Sequence, residues 1–203
     1  ATWHEFSDPD AAAKGLLDPD TGRLEKKLRA LGISNDSDIV IYSNPFDNWG
    51  DEGRMFWMLQ YLGHQKLKIL DGGWVKWTKE QRKYEHFPVT PKPGTFTAKP
   101  DPGLIIGKEE LKQLVRQPKP GTAIADARSL EEYAGKEISG IPRAGHIPGA
   151  INVNWAEGLR AGKWRSGEEQ RQRFPEGETV VYCGSGVSAA GNLLAMELAG
   201  IRD

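Results

Sequence analysis

Cys183 is the single cysteine in this chain of 203 residues, and it stands in the run Cys183-Gly184-Ser185-Gly186-Val187-Ser188. The β-rich segment Glu178-Thr179-Val180-Val181-Tyr182 precedes it and an apolar helical stretch, Ala189 to Leu198, follows. A thiolate is a soft nucleophile, favoured by local amides, a helix N-terminus or nearby cations. This loop offers at least the first two. Gly184 and Gly186 permit tight backbone placement, so successive N–H groups from Ser185 to Ala189 can cradle a thiolate or an anion transferred to it. Ser185 and Ser188 add hydroxyl donors. The competing structural reading makes Cys183 a small buried apolar group at a strand end, and the glycine-serine loop weighs against it. A nucleotide-phosphate loop would need a lysine followed by Ser or Thr, and a cysteine-phosphatase loop would close on an arginine. Neither is present.

Other residues with chemical potential read as structure. His4, His64, His86 and His146 have no metal-ligand spacing, no paired carboxylates mark a metal centre, and no metal or cofactor is expected. His146, next to Ile147-Pro148-Gly149, reads as a turn residue with a structural hydrogen bond. The seven tryptophans, Trp57, Trp74 and Trp77 among them, lack a coherent basic groove beside them and read as core or interdomain contacts. Lys26-Lys27 and Lys79-Glu80-Gln81-Arg82-Lys83 read as solvated helix surface. Twenty-seven basic against twenty-eight acidic residues give a formal charge of -1, so no net field draws the chain to nucleic acid or anionic lipid. A lone cysteine excludes an intrachain disulfide framework and a multi-cysteine cluster. No apolar run approaches the roughly twenty residues of a membrane span, and the first residues do not form a basic-then-apolar signal segment. A soluble cytoplasmic protein is the expectation, with neither nucleic acid nor membrane as partner.

The elements that must position Cys183 follow from periodicity. Leu24, Leu28 and Leu31 mark a short amphipathic helix stopped by Gly32, Asp38 to Tyr42 a strand, and Arg54 to Leu62 a packed helix ending at Gly63. A second strand is expected over Leu67 to Leu70 and a helix around Trp74 to Glu80. Pro88, Pro91, Pro93, Pro100 and Pro102 then make 87–103 an extended linker between domains 1–86 and 104–203. In the second unit a helix is expected over Lys108 to Arg116, a strand over Thr122 to Asp126, a helix from near Ser129 and the strand before Cys183, in an α/β arrangement.

The two units look like a repeat. Tyr42-Ser43 follows Ile39-Val40-Ile41 much as Tyr182-Cys183 follows Thr179-Val180-Val181, and each is followed by a helix ending at Gly63 or Gly200. Ser43 then stands where Cys183 stands, so the first unit lacks the thiol and is structural or shapes the cleft. Asp126-Ala127-Arg128 begins 57 residues before Cys183, an offset that falls before Ala1 when counted from Ser43. The first unit therefore reads as truncated at its start. The second, lacking a counterpart of the segment from Lys66 to Trp74, reads as truncated at its close.

With these residues in view, Cys183-Gly184-Ser185-Gly186-Val187-Ser188-Ala189 resembles the active loop of the rhodanese-like sulfurtransferases, particularly their mercaptopyruvate-using members. Asp126-Ala127-Arg128, Gly145-His146-Ile147-Pro148-Gly149-Ala150-Ile151-Asn152 and Leu70-Asp71-Gly72-Gly73-Trp74 are similar to further segments of that family. The resemblance implies two tandem rhodanese-like domains of α/β fold, truncated at both outer edges. It also implies a sulfurtransferase in which Cys183 takes sulfur from 3-mercaptopyruvate or thiosulfate as a persulfide and passes it to cyanide, a small thiol or thioredoxin. The backbone of Gly184, Ser185, Gly186, Val187 and Ser188 would be the anion cradle. Arg128 would hold the donor's anionic end by a bidentate contact, with pairing to Asp126 as the structural alternative and with Arg143 or Lys136 as further cations. A loop without cationic side chains favours mercaptopyruvate, and both donors stay open. Ser185 occupies the place of a serine that some members pair with a histidine and an aspartate. No histidine stands around Lys14-Gly15-Leu16-Leu17 and His4 does not fit the role, so a thiolate-and-amide mechanism is the simpler expectation. The alternative function is a noncatalytic sulfur-carrier or protein-binding module.

Overall fold

The computed structural model describes residues 1–10, 15–87, 89–137 and 143–201; Lys14 and Pro88, both used in the sequence reading, lie outside the described residues. In the first half, α1 (Thr21–Ala30) is capped by Asp20, whose carboxylate accepts from the Arg23 amide at 3.1 Å. Leu24 and Leu28, one turn apart, are fully buried. β1 (Ile39–Ile41), α2 (Asp51–Tyr61), β2 (Leu67–Ile69) and α3 (Gly73–Lys79) follow, with β1 and β2 parallel in the register Ile39 to Leu67. α2 begins a turn earlier than its apolar pattern suggests. Its first turn carries Asp51 and Glu52, which complement the helix dipole.

The proline-rich segment is extended, as its composition predicts, but it does not stand free between two halves. It is strapped to the first half: the Gly94 amide donates to the Arg29 carbonyl at 2.8 Å, Lys99 to Leu62 at 2.9 Å and Asp101 to Tyr61 at 2.8 Å. The accepting carbonyls lie at the C-terminal ends of α1 and α2, where no intrahelical donor remains for them. Phe96, fully buried, joins Leu24, Leu28 and Leu62 in the core.

The second half holds α4 (Lys108–Arg116), β3 (Thr122–Asp126), α5 (Leu130–Tyr133), β4 (Ile151–Asn152), the antiparallel pair β5 (Leu159–Arg160) and β6 (Lys163–Trp164), α6 (Gly167–Arg171), β7 (Glu178–Tyr182) and α7 (Val187–Leu198). The parallel sheet runs β4-β3-β7, with Asp126 opposite both Asn152 and Tyr182. Side chains alternate across it: Ile124 and Val180 pack with Leu114 of α4, while Ala125 and Val181 pack with Ala195 of α7. This is the α/β arrangement expected.

α2 and α7 join the halves. Both follow a left-handed glycine, Gly50 at φ 100° and Gly186 at φ 79°. They approach closely because both contact positions are glycines: a Cβ on Gly53 would lie 2.7 Å from the Ala190 carbonyl oxygen and from Gly191 Cα. Ala190 is buried in the core cluster of the first half. Of the tryptophans expected in the core or at interdomain contacts, Trp57 is buried, but Trp74 is 38% exposed. Its edge meets Tyr84 with ring centroids 5.0 Å apart, on an open aromatic surface beside Tyr42. This corrects its placement in the core: α3 lies at the outside of the two-stranded β1-β2 sheet and buries only its small first residue, Gly73.

Candidate functional site

β7 ends at Tyr182, so Cys183 leaves the sheet at its carboxyl edge, where open α/β sheets place their ligands. Cys183 is half-buried. Gly186 adopts its positive φ to start α7, which turns its N–H onto the Cys183 sulfur at 3.0 Å. The amides of the following turn have no intrahelical acceptor and complete a positive rim. Gly184 is open, with no atom within 4 Å of where a Cβ would stand. Val187 is buried. The Ser188 hydroxyl donates to the Trp49 carbonyl at 3.2 Å, tying α7 to the loop before α2. Its expected part in the anion cradle therefore reduces to its backbone.

The first half supplies what the loop lacks. Gly15, at φ 86°, lies so close to Ser185 that a Cβ there would sit 2.8 Å from Ser185 Cα. Arg54, in the first turn of α2, is 5% exposed and pairs with no carboxylate among the described residues. Its Nη2 donates to the Gly15 carbonyl at 2.6 Å, and its guanidinium lies 4.6 Å from the Trp57 ring centroid. A Cβ on Gly186 would meet its Nη1 at 2.8 Å. Burial brings the Arg54 guanidinium down to about 10, with the Cys183 sulfur pulling the other way. Sequence reasoning passed over Arg54. The available signal was a lone arginine one turn before Met58 on a buried, apolar helix face.

Arg128 is placed differently from expectation. Its Nε and Nη2 hold the Asp126 carboxylate at 2.9 and 2.6 Å, and Nη2 also donates to the Gly145 carbonyl at 2.8 Å. The Asp126 carboxylate raises the guanidinium well above its ordinary value. The bidentate face expected to hold a donor is thus taken by Asp126, and Tyr182 is a further partner of the guanidinium. Arg143 and Lys136 are exposed. Along the same sheet edge lies a cavity of about 290 Å³, lined by residues including Asn48, Trp49, Arg128, Glu132, Trp155 and Ser188.

In the first half, the Ser43 hydroxyl donates to Glu52 at 2.6 Å. Burial raises the Glu52 carboxyl, opposed by that bond. His146 donates from Nδ1 to the Tyr133 carbonyl at 2.8 Å and stacks on the Tyr133 ring, a structural role. Among the described residues no group of three metal-ligating side chains converges, and no helix is long and apolar enough to cross a membrane.

The model of the Rhodanese-like domain matches the chain twice, over residues 12–80 and 107–203. A probable 3-mercaptopyruvate sulfurtransferase of Pseudomonas aeruginosa is 35% identical over 191 residues, which cover 90% of this chain and 66% of that protein. A sulfur carrier protein of Thermus thermophilus is 33% identical over 175 residues, covering 78% of this chain and 60% of that protein. The chain thus spans a little under two thirds of the length of these relatives. The crystal structure of a 3-mercaptopyruvate sulfurtransferase from Escherichia coli superposes with a TM-score of 0.80 at 30% identity, covering 97% of this chain and 74% of that one.

Proposed function

We propose that this chain, which belongs to the rhodanese-like domain family, is a sulfurtransferase that carries sulfur on Cys183 as a persulfide. One observation carries the reading. The sole thiol sits at the sheet's carboxyl edge with the Gly186 N–H on its sulfur, and a buried guanidinium without a carboxylate, Arg54, stands on the other side of Gly186. Amides and a fixed cation are what an anionic sulfur nucleophile and its anionic product require.

With 3-mercaptopyruvate, the Cys183 thiolate attacks the donor sulfur and the S–S bond forms as the C–S bond breaks. The electron pair stays on carbon as the enolate of pyruvate, which takes a proton from solvent. With thiosulfate, the same attack expels sulfite. In the second stage a thiolate or cyanide attacks the outer sulfur and Cys183 departs as thiolate. The amides of Gly184 to Ser188 hold the negative charge in both stages, and Arg54 offsets it from beneath the loop. The loop's lack of cationic side chains favours mercaptopyruvate, whose single carboxylate asks for less positive charge than thiosulfate.

The relative in Thermus thermophilus, a sulfur carrier protein, favours a second reading in which the persulfide forms once and is handed to a protein. Both readings require Cys183, and turnover separates them. Incubation with either donor should add one sulfur to the intact mass, located on Cys183 and absent in Cys183→Ser. Repeated transfer to cyanide marks the enzyme, and a single stoichiometric discharge the carrier. No adduct with either donor refutes both.

A further inference from the structure

The Arg54 guanidinium is held at one corner and on one face. Its Nη2 donates to the Gly15 carbonyl, its sole hydrogen bond among the described residues. A single bond fixes a point and leaves the guanidinium plane free to swing about it. The plane is set by Trp57, one turn along α2, whose ring centroid lies 4.6 Å from Arg54 Cζ. Trp57 is itself clamped. Its ring stacks on Tyr61, a further turn along, with centroids 5.6 Å apart and planes 19° from parallel. Its Nε1 donates to the Leu104 carbonyl at 2.8 Å, which satisfies the one polar atom of a buried indole. Guanidinium, indole and phenol form a column on one face of α2, and its free end lies beneath the Cys183 loop, where a Cβ on Gly186 would meet Arg54 Nη1 at 2.8 Å.

The other end of the column is anchored where the chain passes between the halves. Leu104 packs against the core of the first half, and Ile106 packs with Leu114 and Ile124 of the second. The Asp101 amide donates to the Tyr61 carbonyl at 2.8 Å, so both aromatic residues grip the same passage. We infer that Trp57 is a positioning residue for the sulfur site and acts through Arg54: its face keeps the guanidinium under the Cys183 loop, and its N–H takes its orientation from the passage at Leu104. The inference rests on the sulfur-transfer reading for its purpose, whereas the charge beside Cys183 can be read without any sulfur chemistry. A merely structural Trp57 would support the fold and leave that charge where it is.

The charge is read by alkylating Cys183 in the intact chain with iodoacetate, an anion, and with iodoacetamide, its neutral counterpart. The ratio of the two rates cancels changes in the thiol's own reactivity and reports the local field. Arg54→Met should lower the ratio by at least about threefold, a modest estimate for one buried charge close to the sulfur. Trp57→Leu should reproduce most of that fall and should add nothing in the Arg54→Met background. Because Trp57→Leu removes a large buried ring, an isosteric arm stands beside it: replacing tryptophan throughout by mono-, di- and trifluorotryptophan drains the ring faces of negative charge and nearly preserves their shape. The ratio should fall stepwise along that series and stay level in Arg54→Met. Single-turnover loading of Cys183 from thiosulfate or 3-mercaptopyruvate, followed by intact mass, should slow in the same order. An unchanged ratio in Arg54→Met, in a folded Trp57→Leu or across the fluorinated series overturns the inference, as does a full further fall when Trp57→Leu is added to Arg54→Met. Failure of both donors to load Cys183 would sink the transferase reading alone.

Discussion

Arg54→Met separates what the first half does for the sulfur from what it does for the fold. Burial lowers the Arg54 guanidinium from its ordinary value to about 10. At about 1.4 kcal/mol per unit, carrying that charge into the folded state costs on the order of 3 kcal/mol. The folded value lies below the unfolded one, so the cost is present in full at neutral pH and fades only as the pH rises from about 10 past the ordinary arginine value. Against it stand a charge-assisted bond to the Gly15 carbonyl, worth about 1.5–3 kcal/mol, and the face of Trp57, worth about 0.5–2 kcal/mol. The two sides nearly cancel. Methionine fills much of the same length, removes the charge and leaves the Gly15 carbonyl to find water.

The expected outcome is a urea unfolding free energy within about 1 kcal/mol of the parent, because those opposing terms are of like size. Sulfur loading of Cys183 should nevertheless slow by at least about tenfold, the effect of removing one fixed charge from a developing anion. Arg54→Lys should recover part of the rate. Unfolding free energy is read from tryptophan fluorescence in urea, and loading from intact mass in a single turnover. A loss of more than about 3 kcal/mol would make Arg54 a structural keystone rather than a functional charge. Unchanged loading in a folded Arg54→Met would remove it from the chemistry altogether.

Three further outcomes follow from the packing. Asp126→Asn strips the buried Arg128 of the carboxylate that holds two of its nitrogens, and should cost about 3–5 kcal/mol in urea unfolding; a cost below about 1 kcal/mol would mean that the pair does not lock the sheet edge. Gly53→Ala places a methyl 2.7 Å from the Ala190 carbonyl oxygen, and should destabilise by about 1–3 kcal/mol despite the better helix propensity of alanine. A gain in its urea midpoint would contradict so close a crossing of α2 and α7. Glu52 is raised by burial, so the folded state binds more protons than the unfolded one just above the usual carboxylate range and stability declines as pH rises through that interval. Glu52→Gln, still able to accept from Ser43, should flatten that decline and match or exceed the parent at neutral pH. Parallel pH profiles for the two proteins would refute it.

How much of this was readable in the chain depends on how local each signal is. α4, β3 and β7 fall on the residues that periodicity assigned, because apolar runs there are bounded by glycine or proline. The starts of α2 and α7 were set too late because each is preceded by a left-handed glycine, which has no side-chain cap to announce it. β4, β5 and β6 have two residues each, too few for alternation to show. α6 carries the Ser166 and Glu169 capping box in its sequence, but no apolar stripe follows it. At the candidate site, the loop around Cys183 was legible because its glycines and its thiol are contiguous. Arg54 and Gly15 were not, since only the crossing of α2 and α7 brings them there. For Arg128, a carboxylate two residues away was a nearer partner than any ligand.

The left-handed glycines also give a register for comparing the halves. Aligning Gly50 with Gly186 sets Glu52 against Ser188 and Arg54 against Ala190. In the first half, Glu52 reaches back to the Ser43 hydroxyl, and the loop is closed upon its own helix. In the second half, serine replaces that carboxylate and turns to the Trp49 carbonyl, so the Cys183 sulfur keeps the Gly186 amide to itself. A carboxylate at position 188 would set a second negative charge at the helix end that, on the proposed function, holds an anionic sulfur, opposing the helix dipole and the amides together. The arginine is distributed in the opposite sense: α2 keeps it where its own loop has no thiol, and the glycine-lined crossing delivers it to the loop that does. On the sulfur-transfer reading proposed above, the half without a thiol therefore holds the charge that the thiol needs, and an isolated second half would lack it.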